Sequence, residues 1–113
     1  MKHTPILIVG AGLSGLMMAA QLLRFGVQPM IIDRSLGPEG EQGYAFLEPR
    51  NLELLEQLGL LEELLKFGVP YSHLDFEHGG HVLDLKKELG EDTRFPFLLN
   101  LPTVRIKQAL MAY

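Results

Sequence analysis

Cysteine is absent from the 113 residues, which excludes disulfide frameworks, thiolate metal sites, iron–sulfur clusters and a cysteine nucleophile. Long runs of one charge are absent too. Fourteen acidic and ten basic residues are interspersed and leave a net charge of −4, so the basic footprint of a nucleic-acid-binding protein is missing and no nucleic-acid partner is expected. No glycine period marks a fibrous chain, and a hydrophobic fraction of 47% is too high for a disordered one. A chain of this length buries one modest core. It cannot easily hold a large cofactor domain and a substrate domain together. The absence of cysteine leaves the redox compartment open and is compatible with a reducing cytoplasm, the setting expected here.

Charge is also missing from residues 4–23, which follow Lys2 and His3 and are mostly apolar. Two alternatives for such a stretch are a signal peptide and a membrane helix. The internal order favours a third reading. Residues 5–9, Pro-Ile-Leu-Ile-Val, form a short β-branched run suited to a buried strand, and Gly10, Gly12 and Gly15 interrupt any continuous helix. From Leu13 the apolar residues suit a helix that ends at Gly26. Strand, glycine turn and helix is the better parse, and no stable membrane association is expected.

Residues 10–15 read Gly-Ala-Gly-Leu-Ser-Gly, a G-x-G-x-x-G with a predicted strand before it and a helix opening within it. In that context Gly10 permits the tight turn, Gly12 lets the backbone approach a pyrophosphate, and Gly15 lets the helix lie close to the sheet. The helix start offers N–H groups and a positive dipole end to two phosphates. A second apolar run, residues 27–32, ends in Asp33, 18 residues beyond Gly15. That is close to the spacing of about 20 for a ribose-binding acid. Its carboxylate can accept both ribose hydroxyls of an adenosine and would repel a 2′-phosphate, so the site suits FAD or NAD rather than NADP. The alternative is a βαβ unit whose glycines serve packing and whose Asp33 caps a loop.

A plain dehydrogenase would usually continue into another short βα repeat. Here residues 34–43 form a polar, glycine-rich loop instead. Beyond it Leu52, Leu55 and Leu58, with Leu54 and Leu61 alongside, mark one apolar helical face, interrupted by Gly59 before a further turn to Lys66. This leucine stripe reads as core.

The succession ILIVGAGLSGL, IIDR, a glycine-rich loop and LELLEQLGLLEELLKFGVP resembles the N-terminal part of FAD-dependent aromatic-ring hydroxylases, the p-hydroxybenzoate hydroxylase-like flavoprotein monooxygenases. The resemblance covers most of the chain. Its glycine motif is shared with many flavin and nicotinamide enzymes, whereas the acid–Arg pair followed by the Pro-anchored leucine helix is more specific. It implies an α/β, three-layer, doubly wound fold built on a Rossmann-like FAD-binding βαβ unit, with a β-hairpin excursion toward a substrate domain. It gives Gly10, Gly12 and Gly15 the FAD pyrophosphate, Leu13 and Ser14 backbone contacts, Asp33 the adenosine ribose and Arg34 a place beside the adenine. The sequence departs from the pattern at two positions. Gln42-Gly43-Tyr44 stands where many members have an arginine, and Thr103 opens the returning helix where Gln or Arg is common. Arg105, two residues on, is the candidate substitute, against the alternative of an exposed helix arginine.

In residues 70–85 two partly alternating runs flank Gly79-Gly80, which suggests a β-hairpin. The resemblance implies that this segment leaves the cofactor domain and returns through residues 95–101 to a helix beginning near Thr103, with 86–94 as an exposed connector. The expected division is therefore 1–67 for the FAD-binding part, 68–101 for the excursion and 102–113 for the returning helix. His73, His78 and His81 lack a carboxylate at a convincing metal-binding spacing, so no metal site is expected.

The resemblance further implies that NADH or NADPH reduces FAD and that the reduced flavin activates O2 to hydroxylate a small aromatic or similar substrate. The chain starts at methionine and stops inside a predicted helix, and is read as the N-terminal portion of a longer enzyme, inactive alone. Another FAD- or NAD-dependent oxidoreductase, or a non-catalytic nucleotide-binding fragment, are the alternatives.

Overall fold

The computed structural model describes residues 5–35, 37–76, 81–90 and 92–113. They divide into two compact units, Met1–Gly43 with Thr103–Tyr113, and Tyr44–Pro102.

The first unit is a βαβ arrangement. Strand β1 (Leu7–Val9) leads through helix α1 (Leu13–Arg24) to strand β2 (Met30–Ile32). The strands pair in parallel, with Leu7 opposite Met30 and Val9 opposite Ile32. Helix α1 stops in a Schellman motif, in which Gly26 N–H bonds to Leu23 O at 3.0 Å and Val27 N–H to Leu22 O at 2.8 Å. A 3-10 turn (Pro38–Gly40) follows β2, and helix α5 (Thr103–Ala112) belongs to the same unit. Helices α1 and α5 pack together. Each buries a pair of residues at helical spacing, Leu16 and Ala20 on α1 and Ile106 and Leu110 on α5.

The second unit is an antiparallel sheet with short helices. Strand β3 (Tyr44–Leu47) and strand β4 (Val69–Tyr71) both pair with strand β7 (Leu98–Pro102), which lies between them. Leucines dominate its core. Leu52 and Leu55 on α2 (Pro49–Gln57), Leu61 and Leu64 on α3 (Leu61–Leu65), and Leu99 and Leu101 on β7 are all buried. The leucine stripe of the sequence is thus core. A capping box starts α2: Glu48 accepts from the Asn51 backbone N–H, while Asn51 Oδ1 accepts from Glu48 N–H at 2.9 Å.

Strands β5 (His73–Phe76) and β6 (His81–Asp84) form the expected antiparallel pair, with Leu74 opposite Leu83. The Gly79-Gly80 turn and His78 lie outside the described residues. Three details differ from the sequence reading. Residues 44–47 form a strand. The run from residue 70 is two strands, because Ser72 separates β4 from β5 and spends its carbonyl on Leu85 N–H at 2.8 Å. The connector after Asp84 begins as helix α4 (Leu85–Leu89), capped where Asp84 Oδ1 accepts from Lys87 N–H at 3.2 Å. Leu85 is buried and anchors that helix. Among the described residues, no helix is long and apolar enough to cross a membrane.

Candidate cofactor site

The three motif glycines are required for three different reasons. Gly10 has φ +106°, the region that favours glycine, and its N–H bonds to Ile32 O at 2.7 Å, tying the turn to the end of β2. At Gly15 a Cβ would collide with the Gly10 carbonyl oxygen and lie 3.2 Å from Ile8 Cγ2, so glycine there lets α1 rest on β1. Neither reason applies to Gly12. Its backbone is extended, with φ −74° and ψ −179°, and a Cβ would meet no atom of the described residues within 4 Å. The protein itself leaves this position free for a side chain. Space kept clear above a helix start is what a backbone-bound phosphate needs.

Gly12 is also the N-cap of α1, where it supplies no side-chain hydrogen bond, and the first turn carries no acid. The first N–H groups of any helix lack intrahelical partners. Leu13 is half-buried and Ser14 exposed, so the first turn of α1 offers its positive end with no acid of its own.

Asp33 immediately follows β2. Its Oδ2 accepts from Ala11 N–H and its Oδ1 from Ser35 N–H, both at 2.7 Å. These two amides hold its carboxyl below its ordinary value of 3.8, with a smaller contribution from the Lys107 charge. Asp33 is therefore oriented and ionised, and a carboxylate with about four lone-pair sites still accepts two further donors. Arg34 beside it is exposed.

An open groove of about 760 Å³ lies against this carboxylate, within the size range of small-molecule sites. Ala11, Ile31, Asp33 and Ser35 form one side, Gly37, Pro38, Gly40 and Glu41 another, and Lys107 and Met111 of α5 complete it. Of the sequence-derived candidates on α5, Thr103 donates its backbone N–H to Gly43 O at 3.1 Å, and Arg105 is exposed. Neither lines the groove. Lys107 was not singled out from the sequence, yet its Nζ lies 2.9 Å from Glu41 Oε2 and its side chain is only 16% exposed. The signal was helical period. Thr103, Lys107 and Met111 follow one another at four-residue steps on one face, whereas Arg105 is turned about 200° from Thr103.

In the other unit, His73 Nε2 lies 3.4 Å from Asp84 Oδ2, and the Ser72 hydroxyl is 3.1 Å from its Nδ1. The Lys87 amide, followed by the His73 charge, holds the Asp84 carboxyl below its ordinary value. Among the described residues, no group of three or more His, Asp or Glu side chains is placed to hold a metal ion.

A family model described as an FAD binding domain matches residues 3–113. The chain is 35% identical over 107 residues to the 6-methylpretetramide 4-monooxygenase of Streptomyces rimosus, a match covering 93% of this chain and 19% of that protein. It is 34% identical over 113 residues to the Bacillus subtilis protein YhjG, named as an uncharacterized aromatic compound monooxygenase, covering 97% of this chain and 21% of that one. Among solved structures it is similar to the OxyS anhydrotetracycline hydroxylase from Streptomyces rimosus, with a TM-score of 0.81 and 29% identity over 96% of this chain and 22% of the other. The chain thus spans about a fifth of the length of the curated relatives it matches.

Proposed function

We infer that this chain, which belongs to the FAD binding domain family of FAD-dependent aromatic-ring hydroxylases, holds the adenosine diphosphate half of FAD for a monooxygenase that hydroxylates a small aromatic or similar organic substrate. The observation that carries the reading is the clear space at Gly12 above the uncapped start of α1, beside the oriented carboxylate of Asp33. The residues fit the group. Gly12, Leu13 and Ser14 would present backbone N–H groups to the pyrophosphate, with Gly10 and Gly15 shaping the turn beneath it. Asp33 would accept the ribose hydroxyls, and Arg34 would stand near the adenine. Thr103 would contribute through the start of α5 by its tie to Gly43, whereas Arg105 lies off the groove-lining side of that helix.

When bound, FAD supplies the redox chemistry, taking electrons from NADH or NADPH and activating O2. This chain's residues bind and orient it. The anionic Asp33 disfavours a 2′-phosphate at the ribose, and the helix start offsets phosphate charge. Residues 68–101 are read as the segment reaching toward a substrate-binding region, and a cytoplasmic setting would supply the reduced nicotinamide.

The experiment is NAD(P)H oxidation by the FAD-loaded product of the whole reading frame, across a panel of phenolic substrates under O2. Oxidation stimulated by an aromatic compound, with a hydroxylated product, is expected. Protein that carries no flavin and consumes no NAD(P)H with any aromatic substrate overturns the reading.

A further inference from the structure

We propose that Lys107 is a positioning residue for the cofactor: through Glu41 it holds the 3-10 turn side of the groove against α5 and keeps the groove shaped for the adenosine half of FAD. The inference rests on the FAD reading of that groove. Lysine is a long, flexible side chain whose charge ordinarily stays in water. Here it is only 16% exposed and is committed to Glu41 at 2.9 Å, across 66 residues of sequence. Both partners line the groove, together with Asp33.

The segment that Glu41 belongs to needs such a fastening. It joins β2 to Gly43 and, among its described residues, holds a 3-10 turn, Pro38–Gly40, closed by Glu41 N–H bonding to Pro38 O at 2.9 Å. The same segment is tied to α5 a second time, by Thr103 N–H bonding to Gly43 O. The two ties sit one helical turn apart, so they fix both the position and the angle of the segment. Pro38, in the 3-10 turn, is buried. A wall fixed before binding costs the cofactor less ordering when it arrives.

A latch and a direct phosphate contact predict different responses to charge reversal. In a latch the ion pair matters and its polarity does not, so exchanging the two charges preserves it. In a direct contact the cation itself matters, and Glu41 only competes for it. The test measures FAD dissociation constants by flavin fluorescence on the full chain, with unfolding midpoints recorded alongside. Lys107→Met and Glu41→Gln are each expected to weaken FAD binding roughly tenfold. The double exchange Lys107→Glu with Glu41→Lys is expected to recover most of that loss. Lys107→Met with unchanged affinity overturns the proposal. So does Glu41→Gln with unchanged or tighter binding, or a folded double exchange that binds as weakly as the single variants. A wild-type chain that does not bind FAD overturns the reading beneath it and is separately visible in the same titration.

Discussion

One methyl group added at Gly12 and one added at Gly15 have opposite consequences, although the two glycines belong to the same motif. At Gly15 the new carbon collides with the carbonyl oxygen of Gly10 and sits 3.2 Å from Ile8 Cγ2. The oxygen is backbone and cannot rotate aside, so α1 must lift from β1. Overpacking of this kind costs about 1–3 kcal/mol, and a backbone neighbour places it at the upper end. The better helix propensity of alanine returns up to about 1 kcal/mol. The net loss for Gly15→Ala is thus about 2 kcal/mol. At Gly12 the methyl meets no atom of the described residues within 4 Å and the backbone conformation is open to any residue. Stiffening the unfolded chain contributes about 0.4–1 kcal/mol, and alanine is a poorer N-cap than glycine by a similar ~0.5–1 kcal/mol. Stability is therefore unchanged to within about 0.5 kcal/mol. The penalty falls on the ligand, because the methyl occupies the approach to the helix start. A loss of ~1.4 kcal/mol there is tenfold in affinity. Urea unfolding of the apoprotein and FAD titration of the full chain read the two quantities separately. Gly15→Ala lowers the unfolding midpoint, and Gly12→Ala weakens FAD binding with its midpoint intact. Gly12→Ala with undiminished FAD affinity would refute the placement of the pyrophosphate, and Gly15→Ala with undiminished stability would refute the close helix–strand contact.

Three further outcomes are expected. Asp33 titrates below 3.8 because the Ala11 and Ser35 amides bind its charged form. The contribution of those bonds is therefore complete above the unfolded value and is lost as pH falls through the lowered folded one, with no change from it between about pH 5 and 8; a carboxyl titration followed by NMR that placed Asp33 at or above 3.8 contradicts this. Leu52→Ala and Leu55→Ala, at side chains 0% and 1% exposed, each destabilise the chain by about 2–5 kcal/mol in urea unfolding, and a cost below about 1 kcal/mol contradicts their place in the core. Glu48→Ala removes one half of the capping box of α2 and costs about 1 kcal/mol by the same measurement, whereas no loss would show that the cap contributes nothing.

The elements most legible in the sequence were those specified locally. The β-branched run at residues 6–9, the glycine turn, the helix from Leu13 and the acid at the end of β2 follow one another with no long-range partner needed to recognise them. The leucine face of α2 and α3 was legible for the same reason, because its period is written in adjacent residues. What escaped the reading depends on distant pairing. Residues 44–47 form a strand because β7 lies beside them, Phe46 opposite Asn100, and the alternation there places Tyr44 and Phe46 on the exposed side, which hides the usual pattern. Ser72 divides the run after Gly68 through a bond to Leu85, thirteen positions away. Lys107 escapes a local reading because its meaning comes from Glu41, 66 positions earlier, although it lies one helical turn along α5 from Thr103.

The central claim is that the clear space at Gly12 and the carboxylate of Asp33 hold FAD. The most direct measurement is the visible absorption spectrum of the product of the whole reading frame, purified without added cofactor. The account predicts flavin bands, with FAD released on denaturation. A colourless protein that gains no flavin spectrum when FAD is added contradicts it.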